Sequence, residues 1–420
     1  MNIARVSLAA ITLAALPAAV HATDGYFTHG YGVKSQGMAG VGIALPQDAL
    51  AAAINPAGTA FVGNRLDLGL TAFAPRRGAE IKGNAFGPDE SYDGDGEKYF
   101  FIPEIAYTRQ LSPNTGVGVA VYGHGGMNTE YRNNPFQRFG ATGKAGVDLS
   151  QLFVSPSLAY KITEHHAIGV ALNLAYQRFE ATGIDAFAPF SVNPGNFSDR
   201  GYDSSTGAGV RVGWTGEITP ALTLGATWAS KTYMGKFDKY QGLFADGGSF
   251  DIPANYGIGA ALKVTPALTI GADVKRIEYS DVDSVGNPLS NLFAGNAFGS
   301  PNGPGFGWRD ITVYKIGASY EYSKRLSLRG GYSHGDQPIP DNQTFLNILA
   351  PGVIQDHLSL GASWLTPRGE WNFSYTHAFK QSVNGSGSIP PGFPPGGLGG
   401  GEANIDLEEN ILAISYGWKL

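Results

Sequence analysis

The chain has 420 residues, of which 60 are glycine, and only 15% are charged. Glycine is about twice its usual share and charge well below it, which argues against an ordinary soluble enzyme, while a net charge of −6 removes the basic field that nucleic acid demands. The absence of cysteine excludes disulfide scaffolds, thiolate metal sites and cysteine nucleophiles together.

Taken from the N-terminus, residues 1–22 read as a secretory signal peptide: Arg5, an apolar run from Val6 to Val20, then Ala22, after which cleavage is expected. Beyond it no stretch approaches the roughly 18 apolar residues of a membrane-spanning helix, so a helical multispan transporter is excluded. Residues 23–63 show no alternation and are rich in small residues, notably from Thr28 to Gly42. About forty residues cannot bury a core of their own, but Gly and Ala let backbone pack inside a lumen too wide for side chains alone to fill. A plug is therefore expected over 23–63, with a short helix over 48–54 stopping at Asn55-Pro56, because Pro disfavours helical geometry in the residue before it.

From residue 64 onward the chain alternates with a period of two. Leu268, Ile270, Ala272 and Val274 fall on one face, and Thr269, Gly271, Asp273 and Lys275 on the other, the apolar-out, polar-in pattern of a transmembrane barrel strand. Fourteen such segments are predicted: 65–81, 98–110, 115–126, 147–161, 166–181, 204–218, 221–236, 253–264, 267–279, 310–322, 325–336, 354–366, 370–382 and 405–420. Tight turns such as Thr219-Pro220-Ala221 and Thr265-Pro266-Ala267 alternate with long Gly-, Pro- and Asn-rich segments, among them 82–97, 183–203, 280–309 and 384–403. Short turns on one side, long loops on the other and an even strand count make the fold class all-β, a fourteen-stranded antiparallel transmembrane barrel over 64–420. The last strand, with Leu412, Ile414, Tyr416, Trp418 and Leu420 on one face, is similar to the insertion signal of outer-membrane proteins, and Leu420 stands where those usually end in Phe. Barrel-assembly machinery and outer-membrane lipid are the expected partners, and a monomer is the expected state.

The run Gly30-Tyr31-Gly32-Val33-Lys34-Ser35-Gln36-Gly37-Met38-Ala39-Gly40, followed by Pro46-Gln47-Asp48-Ala49 and Asn55-Pro56-Ala57-Gly58, resembles the N-terminus of the FadL/TodX outer-membrane transport family. The resemblance implies that the plug is that family's hatch, with Asn55, Pro56 and Ala57 as its motif. It implies a place in the outer membrane of a Gram-negative cell and passive uptake of hydrophobic small molecules, long-chain fatty acids or aromatic hydrocarbons. In the family picture the ligand binds in the barrel and leaves sideways beside a kinked third strand. The third predicted strand ends in Gly123-His124-Gly125-Gly126; Gly123, Gly125 and Gly126 permit a bulge or inward bend, and Val at 125 and 126 is expected to straighten it.

No catalytic chemistry is expected. The eight His come without a Gly-x-Ser-x-Gly elbow or a His-Glu-x-x-His helix and read as solvated or interfacial, so neither enzyme, metal nor cofactor is inferred. Lys161, Arg211, Lys263, Lys275, Lys315 and Arg329 lie on the polar parity of their strands and are candidate contacts for a ligand carboxylate, with cross-lumen pairing as the alternative. Two other functions fit a barrel, a surface-loop adhesin or receptor and a general hydrophilic porin. A porin would carry charged rings around an open eyelet, and an adhesin would need the loops without the plug.

Overall fold

A computed structural model describes residues 24–394 and 396–420; the expected signal peptide and its cleavage point lie outside the described residues. Fourteen long antiparallel strands run in sequence order: β1 (Arg65–Lys82), β2 (Phe100–Ser112), β3 (Thr115–Tyr131), β4 (Ala145–Lys161), β5 (His166–Thr182), β6 (Asp203–Thr219), β7 (Leu222–Ala229), β8 (Asn255–Thr265), β9 (Leu268–Ile277), β10 (Ile311–Glu321), β11 (Leu326–Gly335), β12 (Asp356–Thr366), β13 (Gly369–Val383) and β14 (Glu402–Lys419). Each pairs with its neighbour, and β1 pairs with β14 from Arg65↔Lys419 to Lys82↔Glu402. The sheet thus closes on itself, as a β-structure in lipid requires.

Side-chain parity follows the alternation. Ile270 and Val274 are exposed on the outer wall while Asp273 between them is buried, and Leu172, Leu174, Val210, Val212, Leu358 and Leu360 likewise face outward. Trp364 pairs with Trp371, and Trp371, Tyr416 and Trp418 form an outward cluster with ring centroids 4.6–4.8 Å apart, the amphipathic belt expected where wall meets headgroups.

Two strands depart from expectation. The seventh, expected to reach 236, ends at Ala229: Ser230 Oγ accepts the Val210 amide (3.0 Å) in place of a ladder carbonyl, and Tyr233–Met234 then re-pairs with β6. The third, expected to end at 126, continues through its glycines to Tyr131. The long segments fold inward over the lumen instead of standing free. Phe136, Phe187, Phe197, Phe244, Phe298, Phe306 and Trp308 are buried there in one core, and Thr129 and Tyr131 of β3 donate to the carbonyls of Leu349 and Ile348 in the 336–355 segment (2.8 and 2.9 Å).

Residues 24–63 lie inside the barrel and are almost wholly buried. They form two one-turn helices, α1 (Val33–Gln36) and α2 (Ala51–Ile54), and a 3-10 turn (Pro56–Ala60). The expected helix from 48 starts three residues late because Asp48 Oδ1 accepts the Leu50 amide (3.0 Å), making a side-chain turn where helical bonding would begin.

The wall is shaped to this segment by glycine. A Cβ added at Gly116 of β3 would stand 2.6 Å from Thr59 O, at Gly225 of β7 2.5 Å from Ile43 O, at Gly271 of β9 2.6 Å from Val41, at Gly317 of β10 2.8 Å from Met38 and at Gly361 of β12 3.0 Å from the Gly37 Cα. At Gly169 of β5 and Gly213 of β6 it would collide with the backbone of Pro56 and Ala57 and with Asn55 Oδ1. Much of the glycine excess is therefore contact surface between wall and plug.

Candidate functional site

The plug motif is held at both ends of one side chain. Asn55 Oδ1 accepts the Ala57 amide (3.2 Å), capping the 3-10 turn, while Nδ2 donates toward Ile43 O (2.8 Å), Trp214 O (2.9 Å) and Thr215 Oγ1 (3.0 Å). Pro56 takes the first helical position, where its missing N–H costs nothing. The motif thus ties the plug to itself and to β6, which sequence alone did not reveal.

The cations on the lumenal parity divide. Lys315 makes a buried ion pair with Asp24 (2.9 Å) and donates to His29 O. Arg329 reaches Gln47 Oε1 (3.1 Å) and Ser363 Oγ (2.6 Å), and Arg211 reaches Ile54 O (3.2 Å). Arg211, Lys275 and Lys315 line one small polar cavity with Asp273, His29 and Tyr31; Lys275 lies over the Phe27 ring at 5.1 Å. Lys161 sits apart, over Phe61 (5.0 Å), and Lys263 is exposed near the β8–β9 turn. A further set escaped the sequence reading: Lys34 of the plug pairs with Glu370 of β13, which also accepts from Arg65 (2.7 Å), and Arg65 is bonded to Asp67, whose carboxylate takes the Ala49 amide (2.9 Å). Burial beside this cluster pushes the Asp48 carboxyl up to about 6; neighbouring Asp67 adds to the rise, and Arg65 and Lys34 oppose it.

The main feature of the wall is at β3. Pairing with β2 stops at Ile105↔Val121, whereas pairing with β4 continues to Tyr131↔Ala145 with one extra residue, His124, bulged out between Gly123 and Gly125. Phe100–Glu104 of β2 bond only to β1. Between them the ladder is absent, leaving a window bounded below by Val121. Above, Arg77 of β1 donates to Asn128 O and Oδ1 (2.9 and 2.7 Å) and to Asp95 (3.1 Å). Pro103, on the β2 edge, has no N–H to offer a ladder; it is the signal that could have located the gap. Ile102 fills the opening, its Cγ2 2.7 Å and its Cβ 4.0 Å from where a Cβ would stand on Gly123.

The plug's first residues cover this window from inside. Phe27 bridges to Gly125, Gly126 N donates to Tyr26 O (2.8 Å) and Thr28 N to His124 O (3.1 Å). The bulge turns His124 inward, where it stacks on Phe153 (4.1 Å between centroids), meets Phe27 (4.4 Å) and hydrogen-bonds the Tyr31 hydroxyl (2.8 Å). His124, His29 and His357 are all buried, unlike the solvated or interfacial histidines that their positions suggested; packing of the plug, invisible in strand periodicity, encloses them. A Cβ at Gly125 would run into Tyr26 O, so Val there would push the plug off β3, a different outcome from the straightening expected from propensity.

Two apolar-walled spaces lie within the barrel. Phe179 of β5 and, in the long segments, Phe136, Phe187, Phe197, Phe244 and Phe306 line one of them. A small second space lies between Phe73 of β1, Met127 and Asn128 on the window's β3 edge, Trp308, Ala350 and Leu407 of β14. Among the described residues there is no metal-binding cluster and no helix long and apolar enough to span a membrane.

The family model described as outer membrane protein transport protein (OMPP1/FadL/TodX) matches residues 14–387. Among solved structures, the chain is similar to the Pseudomonas putida toluene transporter TodX (19% identity, 93% of this chain and 99% of that one, TM-score 0.67). It is similar also to a Pseudomonas aeruginosa FadL homologue (16%, 94% and 99%, 0.71) and to the Ralstonia pickettii toluene transporter TbuX (18%, 93% and 99%, 0.64). No curated protein sequence matches the chain.

Proposed function

The chain belongs to the outer-membrane transport proteins of the OMPP1/FadL/TodX family, and from that premise we propose that it carries uncharged hydrophobic molecules, monoaromatic compounds foremost, from the cell exterior to the membrane through the window between β2 and β3. The observation that carries this reading is the interrupted β2–β3 ladder with an apolar cavity directly behind it. An apolar solute gains roughly 0.8 kcal/mol per CH₂ on leaving water, so a path through phenylalanine-lined space into lipid is downhill, whereas the periplasmic side is closed by a plug fitted into the wall's glycine gaps. The toluene transporters among its structural neighbours point to the same substrate class.

The cations hold the plug in this reading. Lys315, Arg329 and Arg211 bond it directly, and the cavity that gathers Arg211, Lys275 and Lys315 lies behind plug residues His29 and Tyr31, off the apolar route. The protein works as a monomeric conduit without chemistry or cofactor, inserted by the barrel-assembly machinery. Cells lacking their own uptake system should accumulate labelled toluene when they produce this barrel, and the intact protein should pass little ion current in planar bilayers. Unchanged toluene uptake, or a large steady conductance, overturns the reading in favour of an adhesin or a porin respectively.

A further inference from the structure

Arg138, in the segment 132–144 between β3 and β4, has a side chain only 6% exposed. Its Nη2 donates to Pro88 O (2.9 Å) and to the Tyr92 hydroxyl (2.8 Å), and stands 3.7 Å from Glu90, a carboxylate that already accepts from Tyr92 (2.8 Å) and Asn133 (2.9 Å). Its Nε and Nη1 have no hydrogen-bond partner among the described residues. A buried N–H without an acceptor is costly, the more so on a charged group, and this guanidinium carries two such nitrogens. The same residue lines a pocket of about 360 Å³ where the segments 83–99, 132–144, 183–202 and 384–401 meet, and it is the one charged residue of that lining among the described residues. Phe86, Phe139, Phe187, Phe190 and Leu398 make most of the remaining wall. Phe139 packs against both Phe86 and Phe187 with ring centroids 6.0 Å apart, so the rings brace one another. Phe187 also lines the phenylalanine-walled space within the barrel, which makes the two spaces neighbours.

We propose that this pocket binds an aromatic carboxylate, with its ring among the phenylalanines and its charge on the free N–H groups of Arg138. The inference does not depend on the window and adds a charged ligand class to the uncharged one above. The ring fits, since a cavity of about 150 Å³ lined by apolar side chains suffices for benzene, and the remaining volume takes the carboxyl group. Phenylalanine walls suit an aromatic guest, which they meet in offset or edge-to-face contact. A carboxylate is the acceptor best matched to a guanidinium, because both groups are planar and charged. Glu90 opposes the guest's charge only weakly, being nearest Nη2 and 44% exposed, so that water screens it. A hydrocarbon ring fills the same walls but leaves Nε and Nη1 unpaired, and a small aliphatic acid pairs them but leaves the walls bare. The pocket therefore selects for both features in one molecule.

The test is calorimetric titration of the full-length barrel, in an uncharged detergent at neutral pH, with p-toluate, the carboxylate of toluene. Arg138→Gln removes the charge and should weaken binding roughly ten- to hundredfold, the worth of a hydrogen bond to a charged group. Because Arg138 also holds Pro88 and Tyr92, a second variant leaves it in place: Ala186→Trp fills the pocket from its half-buried rim and should weaken p-toluate by roughly tenfold or more. Acetate, which has the charge without the ring, should bind the natural protein more weakly than p-toluate by a similar factor. Absence of p-toluate binding, natural affinity in either variant, or equal affinity for acetate overturns the assignment. Each of those results leaves toluene transport through the window standing, since that is read by uptake.

Discussion

A disulfide across the window offers the most direct test of lateral release. The chain has no cysteine, so Ile102→Cys with Gly123→Cys creates a single possible bridge. The two Cβ positions are 4.0 Å apart, inside the roughly 3.5–4.5 Å that a disulfide spans, and removing the Ile102 Cγ2, 2.7 Å from the new Cβ, clears the room that Gly123→Cys needs. For a flat ring to slip between these positions, two van der Waals contacts of about 3.5–4.0 Å must fit, so the Cβ atoms have to part to about 7–8 Å. The disulfide forbids that. Uptake of labelled toluene by the oxidised double variant should fall at least tenfold and return on treatment with a reductant, while toluene binding in detergent persists. Because one variant is compared with itself, folding and abundance cancel. Full uptake by protein shown by mass to be cross-linked would mean that the ligand leaves by another path.

The plug gives three further expectations. Lys315→Met strands Asp24 in the interior at a cost of about 3–5 kcal/mol; single-channel conductance and protease access to residues 24–30 should rise, and adding Asp24→Asn should restore much of the closure. Gly125→Val displaces Tyr26 and should open the plug's first turn in the same assays while the barrel still shows heat-modifiable migration; an undisturbed plug would contradict the packing described here. Docking of the plug should also weaken as pH rises from about 4 through 6. The raised Asp48 carboxyl means that the docked state binds a proton the released state lets go, so its stabilisation is complete below the ordinary carboxylate range and lost above about 6. Asp48→Asn should flatten that dependence, read as protease access against pH; an equal slope in the variant would assign it to other groups.

The barrel was legible because its code is local. Alternation at Leu268–Val274 or Ile168–Tyr176 needs only two neighbouring strands and lipid to be true, and tight turns such as Thr265-Pro266-Ala267 fix where it resets. The plug was legible as a segment that could not fold alone. Its contacts were not, because Asn55 to Trp214 or Lys34 to Glu370 are separated by more than a hundred residues and follow no period. The extracellular segments read as polar loops since their phenylalanines are aperiodic, yet Phe136, Phe187 and Phe298 are buried.

The glycines of the wall carry a consequence for how such proteins diverge. A lining relieved at Gly116, Gly169, Gly213, Gly225, Gly271, Gly317 and Gly361 is a cast of one insert, and the insert is a cast of it. Grafting the segment of a relative that corresponds to residues 24–63 onto this barrel should therefore give a poorly seated, leaky chimaera even when both parents function, unless the recesses are transferred with it. If substrate preference is set among the loops and at the window, as proposed above, it can drift freely; insert and recess must be inherited as one unit.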